Sequence, residues 1–200
     1  MMDIGVLGGT FDPIHIGHLI ITEEARLRLG LSQVIFVPAG QPWLKEHRNF
    51  TPGEHRMEML RLAIAPNPYF RVSTVDLERP GPSYTVDTLT DLRRELGQEA
   101  NLYFILGVDA IPQLPTWREP QKIVELCHLV VARRPGVKDL DLHSLERSIP
   151  GIPSRIIILD NRLIDISSSE IRKRVAEGKP IQGMVPEAVE RYIKEKRLYI

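Results

Sequence analysis

Two hundred residues are enough for one domain with a sizeable buried core. Lys and Arg number 26 and Asp and Glu number 26, and no long basic run occurs, which disfavours a protein that works along a nucleic-acid backbone. The single cysteine, Cys127, has no partner for an intrachain disulfide, no basic segment precedes the first apolar stretch, and no apolar run approaches the roughly 18 residues that span a bilayer; a reducing, cytoplasmic setting is expected, and no membrane partner.

In chain order, DIGVL (3–7) predicts a strand and residues 17–29 an amphipathic helix. QVIFVP (33–38) predicts a second strand, and the helix expected at 52–65 opens on Thr51-Pro52-Gly53-Glu54, which matches a capping box. FRVSTV (70–75) and NLYFIL (101–106) predict strands on either side of a helix at 84–96, and CHLVVA (127–132) a strand after a helix at 119–126. RIIILD (155–160) predicts the last strand. A helix at 167–177 opens on Ser167-Ser168-Ser169-Glu170, a second capping box, and stops at Gly178; another helix is expected at 186–196. Pro-rich stretches at 78–83, 112–120 and 150–153 read as short rim loops. Strands alternating with helices predict an α/β fold, a doubly wound parallel sheet with helices on both faces, and residues 1–200 read as a single domain.

Ligands of such sheets sit beyond the carboxyl ends of the strands, where GGTFDPIHIGH (8–18) falls. Gly8 and Gly9 permit a sharp turn and a close approach to a ligand, and Asp12-Pro13 is a turn former. The helix start near His15 favours an anion, and His15 and His18, three residues apart, share one helix face. Two imidazoles at such a place can donate to phosphate oxygens. The Walker pattern and GxGxxG are both absent, and the second strand runs into Pro38-Ala39-Gly40 rather than an acidic residue, so support for a hydride-transferring dinucleotide site is lost. A protein-held metal is not expected, because zinc needs three protein ligands and no Cys or acidic cluster accompanies the pair. Helix-start histidines that only cap are the remaining alternative, which leaves the two glycines and the FDP turn unexplained.

GGTFDPIHIGH resembles the [ST]FDPxHxGH signature of the nucleotidyltransferase superfamily, and Ile166-Ser167-Ser168-Ser169-Glu170-Ile171-Arg172 resembles the ISSTxIR motif of the nicotinate-nucleotide adenylyltransferases. PSYTVDTL (82–89), ILGVDA (105–110), LPTWREP (114–120) and VARRPG (131–136) are similar to segments of that family, so the resemblance spans nearly the whole chain. It implies a Rossmann-like nucleotidyltransferase fold and transfer of the adenylyl group of ATP to nicotinate mononucleotide, in the formation of NAD. It further implies catalytic His15 and His18, an ATP site of Gly8, Gly9, Thr10, Phe11, His15, His18, Lys45, Ser168, Ser169 and Arg172, and Mg²⁺ arriving on the ATP phosphates.

The mononucleotide would meet Thr85, Asp109, Trp117 and Arg134. Each assignment has a plainer counterpart: Lys45 as a solvated lysine in KEHR, where Trp43-Leu44 depart from the family pattern; Trp117 as a rim or core aromatic; Asp109 as a helix cap; and Arg134 as surface charge beside Arg133. Two other functions stay open, pantetheine-phosphate adenylyltransfer, which the longer chain and the Trp117 loop oppose, and a non-catalytic nucleotide sensor of the same fold. Self-association is left open.

Overall fold

The computed structural model describes residues 2–42, 50–97, 99–133, 140–159 and 166–200. Six strands form one parallel sheet: β1 (Met2–Gly9), β2 (Gln33–Pro38), β3 (Phe70–Val72), β4 (Ala100–Gly107), β5 (Cys127–Ala132) and β6 (Ile156–Leu159). Their order, β3-β2-β1-β4-β5-β6, is that of a Rossmann fold, with its reversal between β1 and β4. The expected α/β doubly wound sheet is therefore present.

Side-chain alternation builds a core on each face. Ile4, Val6, Leu102, Phe104, Leu129 and Val131 point to one side and are buried under α4 (Thr85–Leu96), α5 (Pro120–Leu126) and α6 (Leu142–Ser148). Leu7, Val34, Phe36, Ile105 and Val130 point to the other, with α1 (Ile16–Leu29), α2 (Gly53–Ile64), α7 (Ser168–Ala176) and α8 (Glu187–Glu195).

Several expectations need correcting. The third strand ends at Val72, because Thr74 already accepts from the N–H groups of Leu77 and Glu78 and starts the one-turn α3 (Val75–Glu78). Thr51 does not cap α2: its cap position is Pro52, without a side-chain bond, and the Thr51 N–H donates to Asp12 Oδ2 at 3.4 Å. Residues Val108–Thr116, read in part as a rim loop, form a 3₁₀ helix containing Pro112 and Pro115. Ile111 and Leu114, three apart and both buried, face the core together, which suits the threefold 3₁₀ repeat. α6, unforeseen, is capped by Asp141, whose carboxylate accepts from the Ser144 N–H at 3.0 Å. Of the second capping box the Ser167 half forms, its side chain accepting from the Glu170 N–H, and Gly178 sits at φ 67° just beyond α7. Among the described residues no helix is long and apolar enough to cross a membrane.

Candidate active site

A cavity of about 550 Å³ opens at the carboxyl ends of β1, β4 and β5, where the strand order reverses. Gly8, Gly9, Thr10, Phe11, His15 and His18 line it from the first strand and α1, and Ser168, Ser169 and Arg172 from α7. Thr85 and Trp117 line it from the opposite face of the sheet. Asp109 lies exposed on the 3₁₀ segment; its neighbours Gly107 and Ala110 line the cavity, and it does not. Lys45 and Arg134 lie outside the described residues.

His15 is the cap residue of α1 and is 7% exposed. Its backbone N–H donates to His18 Nδ1 at 3.2 Å, and the two imidazoles stack with centroids 3.6 Å apart. An accepting Nδ1 carries no proton, so neutral His18 bears its hydrogen on Nε2, which makes that nitrogen the donor. Glycine at position 17 suits this stack, since a Cβ there would lie 3.1 Å from the His15 ring and press on it. Phe11, at φ 50°, turns its ring into the core, edge-on to His18 at 5.3 Å. The first N–H of α1 is not available to a ligand, because Ile16 donates to the Met184 carbonyl at 2.9 Å.

The two helix starts are stapled to each other through the FDP turn. Ser168 donates from Oγ to the Pro13 carbonyl at 2.9 Å, and Arg172 donates from Nη1 to the Asp12 carbonyl at 2.6 Å and from Nη2 to Ser169 Oγ at 3.3 Å. Residues far apart in sequence thus form one basic, donor-rich wall. Arg56, 3% exposed, braces that wall from below by donating to the carbonyls of Thr10 (2.9 Å), Ala39 (2.8 Å) and Thr51 (2.9 Å). Burial lowers the Arg56 pKa, against the raising influence of Asp12 and Tyr199.

At the other end, the loop after β2 is tied to α4. Ser83 Oγ accepts from the Gly40 N–H at 2.9 Å, and Asp76, on α3, accepts from Thr88 Oγ1 at 2.7 Å and from Arg79 at 2.6 Å. Gly40 has no alternative there: an added Cβ would collide with the Asp76 carbonyl oxygen. Burial raises the Asp76 pKa although Thr88, Arg79 and Ser83 all pull it down. Arg79 resists its own burial through Asp76 and Asp91 and is held above the ordinary guanidinium value. Asp87 does not line the cavity; its carboxylate meets Arg118 at 3.4 Å, and Arg118 also lies over the Tyr84 ring at 4.9 Å. Trp117 stands edge-on to Phe104 with centroids 6.4 Å apart.

Arg56 and Asp76 carry no signal that singles them out in the sequence, and although Asp12 lies in the FDP turn and Ser83 in PSYTVDTL, the roles of all four side chains depend on partners brought from elsewhere in the chain. Among the described residues no group of three His, Cys, Asp or Glu is placed to hold a metal ion. Asp12 borders the cavity, but both its oxygens already accept hydrogen bonds. Such a donor set suits a cation carried by phosphates and water better than one caged by protein.

The Cytidylyltransferase-like family model matches residues 6–174. A Dehalococcoides mccartyi protein is 47% identical over 195 residues, 98% of this chain and 96% of its own, and one from Thermomicrobium roseum is 50% identical over 199 residues, 100% of this chain and 92% of its own. Both bear the name "Probable nicotinate-nucleotide adenylyltransferase". The fold is also that of the Plasmodium falciparum nicotinic acid mononucleotide adenylyltransferase complexed with NaAD, with a TM-score of 0.79 at 23% identity over 100% of this chain and 98% of that one. The same enzyme complexed with APC gives a TM-score of 0.78. With its sheet order, its paired histidines and full-length identity of this degree, the chain belongs to the nicotinate-nucleotide adenylyltransferases, within the cytidylyltransferase-like family.

Proposed function

We propose that this chain, acting as a single nucleotidyltransferase domain in the cytoplasm, joins ATP and nicotinate mononucleotide to give nicotinate adenine dinucleotide and pyrophosphate. A 5′-phosphate oxygen of the mononucleotide attacks the α-phosphorus of ATP. The bond from that phosphorus to the bridging oxygen of the β-phosphate breaks, and pyrophosphate leaves with the electron pair. The attacking phosphate is already ionised, so alignment and charge stabilisation are sufficient and no general base is needed. The observation that carries this reading is the stapling of the α1 and α7 starts into one wall, with His18 Nε2 as its proton-bearing donor. His18 donates to the α-phosphate with His15 beside it; Ser169 and Arg172 take the β- and γ-phosphates, joined by Lys45. Gly8, Gly9, Thr10 and Phe11 follow the nucleotide with their backbone. Mg²⁺, brought by ATP, neutralises phosphate charge.

Thr85 and the start of α4 receive the pyridine carboxylate, Trp117 takes the ring, Asp109 serves a ribose hydroxyl and Arg134 the mononucleotide. Asp87 stands outside the cavity lining and is paired with Arg118, which offsets the repulsion that its charge would offer a bound carboxylate. A carboxamide would lose a charged hydrogen bond worth about 1.5–3 kcal/mol and leave a donor unpaired at roughly a further 1 kcal/mol, a discrimination on the order of 10² to 10³. The test is pyrophosphate release from Mg-ATP with nicotinate mononucleotide, nicotinamide mononucleotide and phosphopantetheine as separate acceptors. The kcat/KM for the nicotinate nucleotide should exceed that for the nicotinamide one by at least about 10²-fold. Equal values would remove α4 from carboxylate recognition, and release only with phosphopantetheine would reassign the acceptor.

A further inference from the structure

We propose that Tyr199, next to last in the sequence, is a positioning residue for the adenylyl-transfer site, acting through the buried carboxylate of Asp12. The inference rests on the function proposed above. Asp12 is 3% exposed, and a carboxylate so placed needs donors to remain in the fold. Its Oδ1 accepts from the Tyr199 hydroxyl at 2.8 Å and its Oδ2 from the Thr51 N–H at 3.4 Å. The carbonyls of Asp12 and Pro13, meanwhile, accept from Arg172 and Ser168 of α7. One dipeptide is thus held on its side-chain face by the C-terminal segment and on its backbone face by the second anion-binding helix start. His15, two residues on, caps α1 and sets His18. A shift of the FDP turn moves both walls of the phosphate site relative to each other.

The path that delivers Tyr199 is built with effort. Arg197 and Tyr199 have φ of 52° and 67°, the left-handed region that side chains other than glycine seldom occupy. Residues kept there are held by their surroundings: Arg197 N–H donates to Lys194 and Leu198 N–H to Ile193, so the chain turns back after α8 toward the site. Burial and the nearby Asp12 charge raise the Tyr199 pKa, so the phenol stays protonated and serves as the donor. Tyr199 also packs against the core that holds Met59, and its hydroxyl lies 3.8 Å from the Met59 Sδ, a second acceptor, so packing must be separated from hydrogen bonding and the Asp12 bond from the Met59 contact.

Tyr199→Phe makes that separation, since it keeps the ring and removes only the O–H. The loss leaves Asp12 Oδ1 without its donor and should lower the melting temperature; at a temperature where the variant stays folded, we expect kcat for pyrophosphate release to fall about tenfold and the Kd for Mg-ATP, read by calorimetry without turnover, to rise at least about threefold. The KM for nicotinate mononucleotide, whose pocket lies on the other face of the sheet, should stay within about twofold. In an Asp12→Ala background the same substitution should cost less than about twofold, because the partner is gone. Unchanged kcat and Mg-ATP affinity in Tyr199→Phe would overturn the proposal, as would a lowered melting temperature alone or an equal loss with Asp12 absent. Were the wild-type chain to release no pyrophosphate, the activity would fall, and the Mg-ATP Kd would still decide the role of Tyr199.

Discussion

At the scale of single residues, His18 does two jobs with two nitrogens. Nδ1 accepts from the His15 N–H at 3.2 Å and so closes the start of α1, while Nε2 holds the proton offered to the α-phosphate. Asparagine can place an amide oxygen near Nδ1 and has nothing at Nε2. His18→Asn should therefore keep most of the helix cap, with stability within about 1 kcal/mol, yet lower kcat by at least about 10²-fold, the usual loss for one donor to a transition-state oxygen. A melting curve and steady-state kinetics check both halves; activity within a few-fold of wild type would remove His18 from the chemistry. The histidine pair is legible in the sequence because spacing and neighbouring glycines sit within 11 consecutive letters. Arg56 and Tyr199 are not, since a buried arginine in a helix and a tyrosine in RLYI acquire meaning only from partners 46 and 187 residues away.

At the scale of elements, long apolar strands and capped helices are readable from pattern, whereas α3, α6 and the 3₁₀ segment are not. α3 is a single turn, too short for periodicity, and its sequence VDLE looks like the end of a strand running into a loop. Its importance lies in Asp76, the joint between α3, α4 and the loop after β2. Burial lifts the Asp76 carboxyl above its ordinary 3.8 despite the hydrogen bond from Thr88 and the Arg79 charge. A raised acid favours its protonated form in the fold, so its stabilising share is complete below the unfolded pKa and is lost as pH rises through the folded one. The amide introduced by Asp76→Asn resembles the protonated acid and does not titrate. In urea melts across the acid range, wild type should lose stability relative to Asp76→Asn as pH rises from about 3.8 through the folded pKa, and the gap should then level off. A relative gain over that window would mean that the Arg79 pair outweighs burial.

At the scale of the whole molecule, the phosphate wall joins the two ends of the chain. Ser168 reaches Pro13 across 155 positions and Arg172 reaches Asp12 across 160, while α7 and α8 are anchored by Ile171, Val189 and Ile193 in the core that also holds α1 and α2. A ligand spanning that wall must bind a structure the unfolded chain cannot offer. At 100 times its Kd, Mg-ATP should add about 2.7 kcal/mol, which for a chain of this size raises the melting temperature by roughly 5–10 °C. Where the protection falls is the sharper test. Helix starts exchange their amide hydrogens by local opening, ahead of the core strands, so a bound ligand slows exchange chiefly where it touches. Mg-ATP should therefore slow the first turns of α1 and α7 together, although they are about 150 residues apart, and leave α6 on the opposite face nearly unchanged. Nicotinate mononucleotide alone should slow the first turn of α4 instead. Protection of α1 by Mg-ATP without α7 would show that the second helix start stabilises the FDP turn and does not touch the phosphates.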